Sequence, residues 1–380
     1  MTKQPFYKKK FFKVFTVILA SLGLIGFAAY KQTFGWSAPE LRQETPDVGK
    51  WYRLSPDGVV DSTGQPAHGL LRIGKDKNKV MVYFFGGGAS INAETAAAGK
   101  AFYATSTKHQ DFVATWGIGS SQEDNPFKDW TILALPYSTG DFHSGTGEFA
   151  YTDKNGQQKI LHHKGYQNLM TLMAEAKTYM GNPDTLLVTG FSAGGFATSL
   201  LADDVIDQFP TAKNITVAVD SSLLLHDDWK GIAERVWQTP DHISDRLNSN
   251  NLVLDSLVAL HDKRGDTVKV LFDSSYRDGI LQQYQNYIDK GQLADPTPET
   301  SQQFQAELKA MVESLQSRID GVGIYVWNHG QDDKTTATQH TTINYKTFFT
   351  PMSDDKSIAD WMADAVNGDV KSYGLELLNK

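Results

Sequence analysis

Residues 184–209, "DTLLVTGFSAGGFATSLLADDVIDQF", decide how the rest of the 380-residue chain is read. A β-branched run, "DTLLVTG", leads directly into "GFSAGG", Gly190 to Gly195. The following Phe196, Leu200, Leu201, Val205 and Phe209 have the spacing of one helical face. A serine between a strand and a helix, with glycine two positions before it and two after it, has the pattern of a nucleophile elbow. The small residues let a strained turn lift the hydroxyl out of the sheet. Ser192 is the predicted nucleophile, flanked by Gly190 and Gly194. The string alone is weak, since a tight turn with an incidental serine also produces it. Its strand-then-helix setting gives it weight.

Working outward, five further β-branched and aromatic runs alternate with helical stretches: "KVMVYFF", "DWTILALPY", "NITVAVD", "TVKVLFD" and "GVGIYVWN". Near-continuous apolar strands alternating with helices predict an α/β protein. Its mostly parallel sheet would be flanked by helices on both faces, with function at the carboxyl ends of the strands. Leu169, Leu172, Met173, Ala176 and Met180 form the buried face of one such helix, which "GNP" at 181–183 ends. The long segment around 223–264 is expected to be a helical cap, and 296–320 a sheet-covering helix. The chain divides into an N-terminal signal or anchor segment with linker, 1–36, and one catalytic domain, 37–380.

The first strand, "KVMVYFF", ends in Gly86, Gly87 and Gly88. Three glycines there suggest a sharp turn or a close approach of backbone. In an elbow architecture the second oxyanion donor comes from a loop after an earlier strand. Gly87, Gly88 and Ala89 are therefore candidates, with Ala193 supplying the other N–H. A dinucleotide loop would need glycine where Ile91 stands, and no Gly-Lys-Ser/Thr follows for a nucleotide-phosphate loop. An acid and a base should follow in the order Ser, Asp, His. "VLFDSSYRDGILQQ" offers Asp273 and Asp278, "WNHGQDDKTTATQHTTI" offers His329 and His340, and Asp220 ends the fourth strand.

Composition excludes several other classes. A net charge of −8 argues against a nucleic-acid binder, which needs a basic surface. With no cysteine there is no disulfide and no thiolate metal site. Asp141, His143, His162 and His163 lack a convincing ligand spacing, so no metal and no cofactor is expected. At the N-terminus, Lys8, Lys9, Lys10 and Lys13 precede an apolar run from Val14 to Tyr30, read as an export signal or, preferably, an uncleaved membrane anchor. The membrane is met through this segment only, with the catalytic domain outside or secreted after cleavage.

Taken together, these motifs resemble the pectinacetylesterase and Notum family, carboxylesterases of the α/β-hydrolase fold. "FFGGGAS" resembles the family's Gly-Gly-Gly-Trp loop, "LPYSTGDFHSG" its Tyr-Cys-(Thr/Asp)-Gly segment, and "GFSAGGFAT" its elbow. "FDSSYRDGILQQ" is similar to its acid-bearing region, and "HTTINYKTFFT" with "IADWMADAVNGD" to its bacterial C-terminal motif. The match runs from about 49 to about 370. The resemblance implies Ser192 as nucleophile, Asp278 as acid and His340 as base. It also implies a small acyl ester as substrate, acetyl first and on a carbohydrate, with lipid-modified protein or peptide as a further possibility. Ala89 stands where the family has Trp, and Ser90 and Ser138 where it has Cys, so the disulfides of eukaryotic members are absent. A rival reading from another class is a cell-surface binding module that kept the fold without turnover. The intact Ser, Asp and His candidates count against it.

Overall fold

The computed structural model describes residues 36–42 and 44–380. The predicted N-terminal anchor lies outside them. Among the described residues no helix is long and apolar enough to cross a membrane.

Among the described residues ten strands form an eight-stranded sheet and a hairpin. They are β1 (Trp51–Leu54), β2 (Gly69–Arg72), β3 (Asp76–Phe84), β4 (Trp130–Leu135), β5 (Glu148–Thr152), β6 (Gln158–His162), β7 (Thr185–Phe191), β8 (Asn214–Asp220), β9 (Val268–Ser275) and β10 (Gly323–Trp327). The large sheet has the order β1-β2-β4-β3-β7-β8-β9-β10, and β5 pairs with β6 apart from it. From β4 to β10 every pairing is parallel, while β2 runs antiparallel to both β1 and β4. This is the α/β-hydrolase sheet. Every residue of β4, β7 and β10 is buried, as near-continuous apolar strands covered on both faces must be.

The covering helices are α1 (Gly165–Met180), α2 (Ala193–Asp207), α3 (Leu252–Arg264), α4 (Gly279–Lys290), α5 (Pro298–Arg318) and α6 (Ile358–Val366). Helix α1 buries Leu169, Leu172, Met173, Ala176 and Met180, the face its periodicity predicts. Each such Leu or Met is worth about 1.5–3 kcal/mol relative to exposure, which outweighs the differences in intrinsic helix propensity. Gly181 ends the helix at φ 67°.

The predicted cap over 223–264 needs correction. Its second half is α3, which packs on α2 and β9 as an ordinary crossover helix. Only the first half caps the strand ends. There Trp229 and Trp237 pack on Phe142, whose ring stacks on Phe196 of α2 at 4.3 Å, and Trp237 Nε1 donates to Ser90 O at 2.7 Å.

The chain passes from β3 outward to β4 and returns to the other side of β3 at β7. Strand order reverses there, and at such a point the loops leaving the two strands diverge and open a crevice. Those loops are the triple glycine after β3 and the serine turn after β7.

Candidate active site

Ser192 occupies the turn between β7 and α2 with φ 54° and ψ −126°, in the left-handed half of backbone space that non-glycine residues seldom enter. The flanking glycines are steric requirements. A Cβ on Gly190 would lie 2.3 Å from Gly194 O, and one on Gly194 would lie 2.1 Å from Phe84 O. Any side chain at either position would push the turn off the sheet. Gly195 is equally tight, against Ser222 Oγ at 2.2 Å.

The triple glycine is explained by what lies against it. Phe84 pairs in register with Gly190, so the chain leaving β3 runs beside the elbow. A Cβ on Gly86 would sit 2.8 Å from Ser192 Cβ and 2.7 Å from Phe191 O. Gly88 adopts φ 78° and has Phe102 O where its Cβ would be. Among the described residues the N–H groups of Gly87 and Gly88 donate to no group, and that of Ala193 opens helix α2. Ala89 differs. Its N–H donates to Phe102 O at 3.1 Å, whereas the N–H groups of the two glycines have no acceptor among the described residues.

The acid and base candidates separate clearly. Asp278 is fully buried at the N-terminus of α4. Its Oδ1 accepts from the N–H groups of Ile280 (3.0 Å) and Leu281 (2.9 Å), which is the ordinary geometry of a helix cap. Its Oδ2 accepts from His340 Nδ1 at 2.7 Å. The loops carrying the two residues are tied together, Thr338 N to Arg277 O (2.8 Å) and Gly279 N to Thr338 O (3.1 Å). His340 Nε2 is buried and has no hydrogen-bond partner among the described residues. The segment after it is bound to the end of β8, through Thr342 N and Ile343 N to Asp220 Oδ2. The same Asp220 accepts the Ser192 N–H at its main-chain oxygen, 2.9 Å away. Ser192, Asp278 and His340 thus sit on loops sharing one edge of the sheet. His329 is exposed. Asp273 is buried inside the sheet beside Asp220 and does not reach a histidine loop.

The other polar residues support the frame. Asp141 is fully buried and accepts from Thr139 Oγ1 (2.6 Å), Gly165 N (2.9 Å) and Gly145 N (3.2 Å). Burial pushes its carboxyl upward against these bonds. His143 donates to Phe85 O at 3.1 Å, the last carbonyl before the triple glycine, and burial holds its ring down to about 4. His163 donates to Thr139 O at 2.8 Å, and burial holds it down to about 3, so both rings are neutral near pH 7. His162 lies on the β5–β6 hairpin facing Glu148. Among the described residues no group of three or more metal-ligating side chains is close enough to hold an ion. The role of His143 as the prop under the glycine loop was not legible in the sequence, where it reads only as one of several histidines near an aspartate.

A groove of about 820 Å³ runs from Gly87 past Asp61, Lys100, Tyr103, Lys108 and Tyr284. Its walls are mixed aromatic and charged. Tyr284 Oη donates to Phe102 O at 2.5 Å, which fixes the wall nearest the glycines.

A comparison with curated proteins finds no match. Among solved structures, the Wnt deacylase Notum from Drosophila superposes with a TM-score of 0.60 and 16% identity, over 83% of this chain and 93% of that one. At that identity the likeness speaks for the fold. The pectinacetylesterase family matches residues 61–239, a stretch that holds the glycine loop, the Asp141 cluster, the elbow and Asp220 but ends before Asp278 and His340. Over that stretch the chain is similar to the pectinacetylesterase family, and it is a carboxylic ester hydrolase.

Proposed function

We propose that the protein is an exported serine esterase that removes small acyl groups, acetyl first, from a carbohydrate through Ser192, His340 and Asp278. The observation that carries this is the 2.7 Å contact between Asp278 Oδ2 and His340 Nδ1, with the opposite ring nitrogen buried and unpartnered on the loop bound to the Ser192 turn. A histidine oriented by a carboxylate at one nitrogen and free at the other is arranged to take a proton from a hydroxyl. His340 Nε2 accepts the Ser192 proton as Oγ attacks the ester carbonyl. The tetrahedral oxygen lies against the N–H groups of Gly87 or Gly88 and of Ala193, which exist before substrate arrives and need no reorganisation. His340 then returns the proton to the departing alcohol. Water repeats the sequence on the acyl-enzyme.

The family supports an acetylated carbohydrate, and the groove beginning at Gly87 offers a place for a polymer that extends beyond the reacting ester. On this reading, p-nitrophenyl acetate is hydrolysed with a kcat/KM at least about tenfold above the octanoate, about 1.4 kcal/mol of discrimination. The opposite order would refute the small-acyl assignment.

The lysine cluster ahead of Val14–Tyr30 supports anchoring in a membrane, with the lysines inside and residues beyond Lys31 outside. Protease added to intact cells is expected to digest the esterase domain. Full protection would show the orientation to be reversed.

A further inference from the structure

Beneath the site lies a pair of acidic side chains that the proposed mechanism does not use. Asp220 and Asp273 are register neighbours at the ends of β8 and β9, both fully buried. We propose that Asp220 is a positioning residue for the reacting pair. Its main-chain oxygen holds the Ser192 turn, its carboxylate holds the loop that presents His340, and Asp273 supports that carboxylate from behind. This rests on the reading of Ser192 and His340 given above and extends it to the residues that set their mutual geometry.

The bonds radiate from one residue. Asp220 O accepts from Ser192 N at 2.9 Å. Asp220 Oδ2 accepts from Thr342 N (2.9 Å) and Ile343 N (3.0 Å), two and three positions after His340. Asp220 Oδ1 accepts from Ser221 Oγ at 2.7 Å, and that hydroxyl in turn accepts from Thr341 N at 3.3 Å. Ser221 and Thr341 both hold positive φ, 54° and 61°. Strained backbone of that kind persists only where surrounding bonds over-determine it. Without the carboxylate, Thr341 would relax, and His340 is the residue joined to it.

Asp273 has Oδ1 without a partner, while its side chain lies within reach of Asp220. Burial, and then the neighbouring carboxyl, push Asp273 well above the ordinary range. Asp220 has three donors and His340 nearby. Two adjacent carboxyls do not readily both ionise in a dry interior, and the three donors on Asp220 assign the charge to Asp220 and the proton to Asp273.

The experiment compares the full-length protein with Asp220→Ala, Asp220→Asn, Asp273→Leu and Asp273→Asn on p-nitrophenyl acetate, with Ser192→Ala alongside. Asp220→Ala should lower kcat about 100-fold with KM within about threefold, because a misplaced base affects the transition state more than binding. Asp220→Asn, which keeps one accepting oxygen, should recover about tenfold of that loss and stay about tenfold below the wild type. Asp273→Leu should lower kcat about tenfold, and Asp273→Asn, whose amide donates as the acid does, should restore most of it. If Asp220→Ala does not fold, Asp220→Asn decides: kcat within about twofold of the wild type would overturn the proposal. So would an Asp220 series in which only the melting temperature moves while kcat of the folded protein does not, since that is a purely structural role. Turnover surviving in Ser192→Ala would instead overturn the reading of the site, whatever the Asp220 variants do.

Discussion

Ser192→Ala abolishes ester hydrolysis while the protein keeps its fold, a loss in kcat of at least about 10⁴-fold if the triad reading holds. The size follows from what remains. Without the hydroxyl there is no acyl-enzyme, and only binding and the oxyanion donors accelerate attack by water. The fold is expected to survive because the turn is shaped by its neighbours. Gly190 and Gly194 close on each other and on Phe84 O, and the Ser192 N–H remains on Asp220 O. Alanine carries the same Cβ as serine, so it meets the same strain at φ 54°. The Ser192 side chain is only partly buried and its hydroxyl has no hydrogen-bond partner among the described residues, so its removal leaves none of them unsatisfied. Steady-state kinetics on p-nitrophenyl acetate with a thermal melt on the same samples test this. A melting temperature within about 3 °C of the wild type establishes the fold, and activity retained within about tenfold would reject the elbow assignment.

The strands that the sequence reveals are those covered on both faces. β3, β4, β7, β8, β9 and β10 are near-continuous apolar runs, and each coincides with a run read from the sequence. β1 and β2 were not legible because each has only four residues, and β2, "GLLR", ends in Arg72. That guanidinium is buried and donates to Gly119 O and Phe127 O, so a charged residue occupies a core position through partners far away in the chain. The β5–β6 hairpin is mostly solvent-facing and carries no apolar pattern strong enough to read. The segment 223–264 reads as a cap because of its length, and nothing local separates a helix lying on the sheet from one lying over its end.

The site was legible in its residue types and less so in its choices. The glycine loop announces a close approach, but which N–H is free depends on the pairing of residues 87–89 with 102–104, a contact no local pattern encodes. Asp273 and Asp278 read alike as aspartates after a strand. A signal did exist: Asp278 directly precedes the helical run "GILQQYQNYI", and aspartate there is a preferred cap, held by the first helical N–H groups. Asp273 has no such donors and lies beside a second carboxyl.

The choice between His340 and His329 gives the other large effect. His340→Ala should lower kcat/KM by about as much as Ser192→Ala, while His329→Ala should stay within about threefold of the wild type. Sequence alone allows either, since both follow β10 and His329 stands closer to the strand end. The surroundings differ physically. A general base must remain within hydrogen-bond reach of its proton donor through the whole cycle, which requires a ring fixed by packing and by bonds to its own loop. His340 is bound at Nδ1 by a buried carboxylate that is itself held by two helical N–H groups. Its flanks are fixed on both sides, by the pairing of Thr338 with 277–279 and by the bonds of Thr341, Thr342 and Ile343 to Ser221 and Asp220. Further along, α6 buries Ile358, Trp361, Met362 and Ala365, the face expected from its spacing, and packs on β8 and β9. His329 is exposed, and its carbonyl accepts from Gln339 N at 3.1 Å. A mobile ring would spend little time in line with Ser192. Parallel kinetics on the two variants decide the matter, and a loss confined to His329→Ala would move the base there and leave the Asp278–His340 pair as a structural contact.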